Sequence, residues 1–208
     1  MTDTNYTAML IVLDRSGSMA SIRTDMEGGI QQLIAHHAAQ PGFVTVDLVT
    51  FDTEIEHTHA FANPNDVKVV LEPRGGTSLY DAIGISFTGF GAALAALPDH
   101  ARPSNVLVTI VTDGEENSSR EYTAAHVKQL IEHQRDAYDW DISFLGANQD
   151  AIIEAGKIGI AAKDAIDYSL GAVDAAMSVH AAKQTRRRAG DRTGYTPAER
   201  GTAMPGRN

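Results

Sequence analysis

The sequence predicts an α/β fold: a doubly wound, Rossmann-like sandwich with helices on both faces of a mostly parallel six-stranded sheet and one antiparallel edge strand. Three observations carry that prediction. Ala8 to Leu13 is an unbroken apolar run, and Val106 to Val111 is almost wholly apolar. Strands apolar on both faces belong at the centre of a sheet covered by helices on each side. Segments of strand character alternate with segments of helical period along the chain, which calls for right-handed crossovers between parallel strands. Both apolar runs also stop at polar loops, Asp14-Arg15-Ser16-Gly17-Ser18 and Thr112-Asp113-Gly114. In open α/β sheets, ligands bind at the carboxyl ends of such strands.

Taken in order, the first apolar strand leads into a helix marked by Met19, Ile22, Met26, Ile30, Leu33, Ile34 and His37 at helical spacing, stopped by Gln40-Pro41-Gly42. Phe43 to Phe51 reads as a second strand. After the polar break Asp52-Thr53, Glu54 to Phe61 alternates charged or polar with bulkier residues; so close a pairing implies a hairpin, and its charge suits the sheet edge. Asn63-Pro64-Asn65-Asp66 is a turn expected to open a short helix through Leu71. Ser78-x-x-Asp81 has capping-box form and starts a helix whose apolar face is Ile83, Phe87, Phe90, Leu94 and Leu97, ending at Pro98. Val106 to Val111 follows as a central strand, then a helix from Tyr122 to Ala137, a strand from Asp141 to Leu145 ending in the loop 146–150, and a short helix from Ala151 to Ala155. A last strand, Ala165 to Ser169, precedes a final helix marked by Val173, Ala176, Met177 and His180. The strands ending at Asp14 and Asp113 are expected side by side.

Composition is that of one soluble domain, with 43% hydrophobic and 21% charged residues. The domain is expected to span residues 1–188. Residues 189–208 carry almost nothing apolar and read as a flexible basic tail. The net charge of −10 is unevenly spread. From Lys183 onward seven basic residues face two acidic ones, so the preceding 182 residues hold ten basic against twenty-five acidic. A domain so acidic repels nucleic acid and anionic membrane, and neither is an expected partner. No apolar run approaches the roughly 18 residues of a spanning helix, and the N-terminus lacks signal-peptide form, so the expected location is the cytoplasm. The absence of cysteine excludes disulfides, thiolate zinc sites and cysteine nucleophiles.

The chemistry is concentrated in the loops. Asp14, Ser16 and Ser18 alternate, so a short looping segment turns one carboxylate and two hydroxyls toward a common point, with Gly17 allowing a tight bend. Hard oxygen donors of this kind suit Mg²⁺, with Mn²⁺ or Ca²⁺ as alternatives. Asp-x-Ser-x-Ser after a first buried strand resembles the metal-ion-dependent adhesion site of von Willebrand factor A domains. That motif is completed by a Thr and an Asp on later loops, which Gly75-Gly76-Thr77 and Thr112-Asp113-Gly114 match. The resemblance spans about residues 8–188, and single-domain members from bacteria and phages are similar. It implies Ser16, Ser18 and Thr77 hydroxyls on the metal, with Asp14 and Asp113 holding or replacing its waters. It further implies a protein partner that supplies an Asp or Glu carboxylate to the metal.

Each residue also has a plainer reading. Ser16, Ser18, Thr77 or Ser78 serve equally well as helix caps, and Asp113 before glycine as a turn residue. Asp52, Glu115 and Asn117 are either an acidic surround of the site or solvated loop residues, and Asp81 closes its capping box. His57 and His59 share a strand face and are candidates for a transition metal or for a solvent-facing edge. His37 and His180 read as core histidines, and Arg186-Arg187-Arg188 as a charged helix end. The rival functions are a Mg²⁺-dependent hydrolase or phosphotransferase and a subunit whose metal only pins loops together. Against catalysis, Ser16 stands where haloacid-dehalogenase-type phosphatases carry a second Asp, and no Lys or His falls in the site loops. No catalytic residue and no enzymatic activity are therefore expected.

Overall fold

The computed structural model describes residues 2–147 and 151–206; the loop expected at 148–150 and the last two residues of the expected tail lie outside the described residues. In chain order the elements are β1 (Asp3–Asp14), α1 (Arg23–Ala38), β2 (Phe43–Phe51), β3 (Ile55–Ala62), α2 (Leu79–Ala96), β4 (Pro103–Thr112), α3 (Ala124–Tyr138), β5 (Asp141–Ala147), α4 (Ala151–Lys157), β6 (Ala165–Tyr168), α5 (Val173–Arg188) and α6 (Pro197–Ala203). The strands form one sheet in the order β3-β2-β1-β4-β5-β6. Among the described residues only β2 and β3 pair antiparallel, and β3 is the edge. β1 lies between β2 and β4 and is parallel to both.

Alternation along β1 divides the core. Met9, Ile11 and Leu13 face one layer, with Met26, Ile30, Ile34, Val173 and Met177 from α1 and α5. Ala8, Leu10 and Val12 face the other, with Ile83, Phe87, Phe90, Val127 and Ile131 from α2 and α3. Each Val, Leu, Ile, Met or Phe side chain removed from water here contributes about 1.5–3 kcal/mol, which favours mostly apolar residues on both faces of the central strands. α2 is long and apolar enough, by length and composition, to cross a membrane, a property that unbroken run length conceals; half of it is buried inside this core.

Three expectations need correction. The first long helix is split, because Gly17–Ile22 forms a 3-10 turn before α1. The helix expected through Leu71 is a single turn at Pro64–Asp66. Beyond it Val67, Val69 and Leu71 are buried at every second position, the alternation of extended chain. Gln31 and Glu27 of α1 hold that strip through Val67, Val69 and Leu71 backbone groups.

The segment read as a flexible tail is packed against the domain. Thr196 and Glu199 form a capping box that starts α6. Tyr195 N donates to Lys163 O at 2.8 Å, and Arg200 guanidinium nitrogens donate to Ala165 O and Ala162 O at 2.7 and 2.6 Å. Tyr195 and Ala203 are buried. Low apolar content misleads here because two buried anchors, Tyr195 and Ala203, and specific backbone contacts do the holding.

Candidate metal centre

The register of the central strands brings the site together. Leu13 pairs with Val111, so Asp14 and Thr112 follow side by side at the carboxyl edge. Thr112 Oγ1 donates to Asp14 Oδ2 at 2.6 Å, and Ser16 N donates to Asp14 Oδ1 at 2.6 Å. Asp14 is fully buried. Burial raises its pKa to about 6, against the lowering effect of the Thr112 and Ser16 hydrogen bonds, and Asp113 adds a further upward push. Asp113 is raised by burial as well, with the Ser18 hydroxyl opposing.

The three hydroxyls lie close together. Ser16 Oγ and Ser18 Oγ lie 3.1 Å apart, and Ser18 Oγ donates to Asp113 Oδ1 at 2.6 Å. A methyl carbon built on Gly114 would lie 3.1 Å from Thr77 Oγ1, 3.5 Å from Ser18 Oγ and 3.9 Å from Ser16 Oγ. One small concavity, kept open by a glycine, is thus lined by all three hydroxyls. The capping alternative fails for the serines: Ser16 starts the 3-10 turn without a side-chain cap bond, and α1 begins only at Arg23. Ser78, at the N-cap of α2, also makes no side-chain cap bond.

Backbone contacts fix the three loops against one another. Gly17 N donates to Gly75 O at 3.3 Å, Arg74 N to Arg15 O at 2.9 Å, and Ser78 N to Asp52 O at 2.9 Å. Gly75 has φ +65°, a conformation open to glycine at little cost. Thr77 is clamped from both sides: its N–H donates to Asn117 Oδ1 at 2.9 Å, and its carbonyl accepts from Asn117 N at 3.0 Å.

Of the candidate surround, Asn117 braces Thr77, Glu115 is exposed, and Asp52 is spent on cations. Arg15 Nε and Arg74 Nε reach Asp52 Oδ2 at 2.8 and 2.9 Å. Although burial works against it, the Glu54 amide and these two guanidiniums hold the Asp52 carboxyl below its usual range. Asp81 does not close a capping box. Its carboxylate accepts the backbone N–H groups of Arg120, Glu121 and Tyr122 at 2.7–2.9 Å. Glu116, which sequence reasoning passed over, accepts from Tyr80 N at 2.9 Å and Ser119 N at 2.8 Å. Both acids lash the loop after β4 to the start of α2. No local spacing announces the bonds from Glu116 to Tyr80 or from Asp81 to residues 120–122, since those partners are some 36 to 41 positions away.

The histidines separate. His57 Nε2 lies 3.0 Å from Asp47 Oδ1, whereas His59 Nδ1 lies 3.1 Å from Thr58 Oγ1, so the pair shares no common point. His37 and His180 are core residues, as expected, and burial lowers both pKa values, that of His37 to about 3. Among the described residues no group of three or more His, Asp or Glu side chains is placed to hold a metal. The oxygen groups brought together here are two carboxylates and three neutral hydroxyls, a set that could hold a hard divalent cation.

No family model matches the sequence, and no curated protein matches it. Solved structures do match by fold. Proximal thread matrix protein 1 from the mussel byssus is 16% identical, with a TM-score of 0.63, over 82% of this chain and 46% of its own. The vWF domain of the type V pili tip protein Mfa5 from Porphyromonas gingivalis is 12% identical, with a TM-score of 0.63, over 91% of this chain and 98% of its own. A von Willebrand factor type A structure from Catenulispora acidiphila is 17% identical, with a TM-score of 0.57, over 86% and 42%. The chain thus spans less than half the length of the mussel and Catenulispora chains. At these identities the likeness shows the fold, which is that of von Willebrand factor A domains.

Proposed function

We propose that the chain is a protein-interaction module that uses a divalent cation, Mg²⁺ in the first instance, to capture an Asp or Glu side chain of a partner protein. The observation that carries this reading is the convergence of Ser16, Ser18 and Thr77 hydroxyls beside Gly114, with Asp113 hydrogen-bonded to Ser18 and Asp14 beneath. In this reading the three hydroxyls bind the cation, and Asp14 and Asp113 neutralise it. The bound ion supplies an electrophilic position that an incoming carboxylate fills. Neutral hydroxyls favour that use, because they occupy coordination places without cancelling the charge that attracts the partner. The chain's own work is to hold three loops in register and to keep Asp14 out of water.

The acidic overall charge agrees with a partner that is neither nucleic acid nor anionic membrane. The site loops place no Lys or His near Asp14, and the adjacent Arg15 is turned to Asp52, so binding is preferred over hydrolysis. The test is affinity capture from the native host in MgCl₂, in EDTA, and with Thr77→Ala. A partner retained only by the wild type in MgCl₂ supports the proposal. Equal capture in EDTA overturns it, as does turnover of a phosphate ester that disappears in Asp14→Ala.

A further inference from the structure

Tyr168 ends β6, two strands from β4, and its ring is wholly buried. Among the described residues its hydroxyl has no hydrogen-bond partner. Buried hydroxyls in native proteins are almost always paired, so an unpaired one asks for an explanation. The register supplies a direction. Thr112 pairs with Gly146 and Ala147 pairs with Tyr168, which puts Asp113, Ala147 and Tyr168 on one level of the sheet. Val111, Leu145, Ala147, Ile166 and Tyr168 all contribute to the core layer beneath α1 and α5. Asp113 follows Val111 by two and therefore starts on that face, with only the methyl of Ala147 between it and the phenol level.

Two strand spacings amount to about 9.5 Å, a gap that a tyrosine and an aspartate extended toward each other span to within one hydrogen bond or one bridging water. The phenol is raised well above its ordinary value, first by burial and then by the negative fields of Asp113 and Asp14. It is therefore a neutral donor. Backbone contacts steady it: Ser169 N donates to Ala203 O at 3.1 Å, so α6 holds the residue next to Tyr168.

We propose that Tyr168 is a positioning residue of the cation site, donating its phenolic proton, directly or across one water, to the Asp113 carboxylate when that carboxylate is ionised beside a divalent cation. The inference rests on the cation reading above. Groups that orient metal-binding carboxylates in this way are worth about 10–100-fold in affinity. Nothing in the adhesion-site sequence pattern points to this residue, which lies 55 positions beyond Asp113.

The experiment titrates MnCl₂ into the full chain and follows free Mn²⁺ by electron paramagnetic resonance, for wild type, Tyr168→Phe and Thr77→Ala, with melting temperatures taken in EDTA. The expected result is about tenfold weaker Mn²⁺ binding in Y168F, with metal-free melting unchanged or higher, because the variant removes a hydroxyl that has no partner. An affinity loss under threefold overturns the inference while leaving the cation site standing. A metal-free Y168F that melts several degrees lower also overturns it, since the hydroxyl then has a partner without the cation. Wild type and T77A that both fail to bind Mn²⁺ overturn the cation reading, and this inference with it.

Discussion

Gly114→Ala separates the cation site from the fold. The added methyl would lie 3.1 Å from Thr77 Oγ1, 3.5 Å from Ser18 Oγ and 3.9 Å from Ser16 Oγ. A Mg²⁺ bound to those hydroxyls at about 2.0–2.1 Å, with Asp113 immediately before the substituted residue, shares that concavity with the methyl. On the proposed reading the methyl crowds the hydroxyls that would hold the ion, and a loss of at least about 100-fold in Mg²⁺ affinity is expected. The fold does not need this glycine, since Gly114 is not among the residues with positive φ. Replacing it trims unfolded-state entropy by about 0.4–1 kcal/mol, offset by the tight contact with Thr77. The assay is Tm with and without MgCl₂ together with calorimetric titration. Wild type at about 100 times its Kd gains about 2.7 kcal/mol from the ion. For a domain of this length that is a rise of about 5–11 °C. G114A should melt within about 2 °C of metal-free wild type and show no rise. A G114A protein that binds Mg²⁺ as tightly as wild type would refute the placement of the ion among these hydroxyls.

Three further outcomes follow from the same geometry. On the proposed reading cation binding requires the Asp14 carboxylate, and because its metal-free pKa is raised to about 6, Mg²⁺ affinity should be about tenfold weaker at pH 5 than above pH 7. The sign in metal-free protein is the reverse of an ordinary carboxylate: Asp14 contributes stability below its unfolded value of 3.8, about 3 kcal/mol in all, and that contribution is lost as pH rises through about 6, which urea melts in EDTA at pH 4.5 and 7.5, compared with Asp14→Asn, will read. Lys183→Met removes the buried ammonium that donates to Asp141 at 2.8 and 3.0 Å and to Ser143 at 2.8 Å; stranding those groups costs about 3–5 kcal/mol, or about 6–20 °C of Tm, and a shift under 2 °C would count against it. Ending the chain at Gly190 discards buried Tyr195 and Ala203 and exposes the outer side of β6, so Tm should fall by at least about 6 °C; unchanged melting would mean that the segment is dispensable.

Tyr195 and Lys183 show where reading along the chain stops working. Tyr195 stands in a stretch of Gly, Thr and Arg, yet its hydroxyl lies 2.7 Å from His180 Nδ1, and Lys183 Nζ is over its ring. From there hydrogen bonds continue through His180 to Thr109, Gln184 and His37, tying α1, β4 and α5 to the C-terminal segment. Helical periodicity marks Val173, Ala176, Met177 and His180 as inward. It cannot mark Lys183, Gln184 and Arg187, which are also buried, because charge and amide are normally solvent signals. They are tolerated inside only because partners from distant strands meet them. Asp81 and Glu116 were hidden for the same reason.

What the sequence determined by itself was whatever depends on neighbours along the chain. Apolar runs made β1 and β4 central, alternation and charge put β3 at the edge, and the ends of the central strands placed Asp14 and Asp113 on adjacent loops. Tertiary structure alone decided that Ser16, Ser18 and Thr77 line one concavity rather than cap helices, that the C-terminal segment packs, and that Tyr168 ends its strand with a buried hydroxyl that has no partner among the described residues. The division is physical. Hydrophobic burial is nearly non-directional and is written in local pattern, whereas a hydrogen bond or a cation cradle depends on a few tenths of an ångström between residues brought together only by the finished fold.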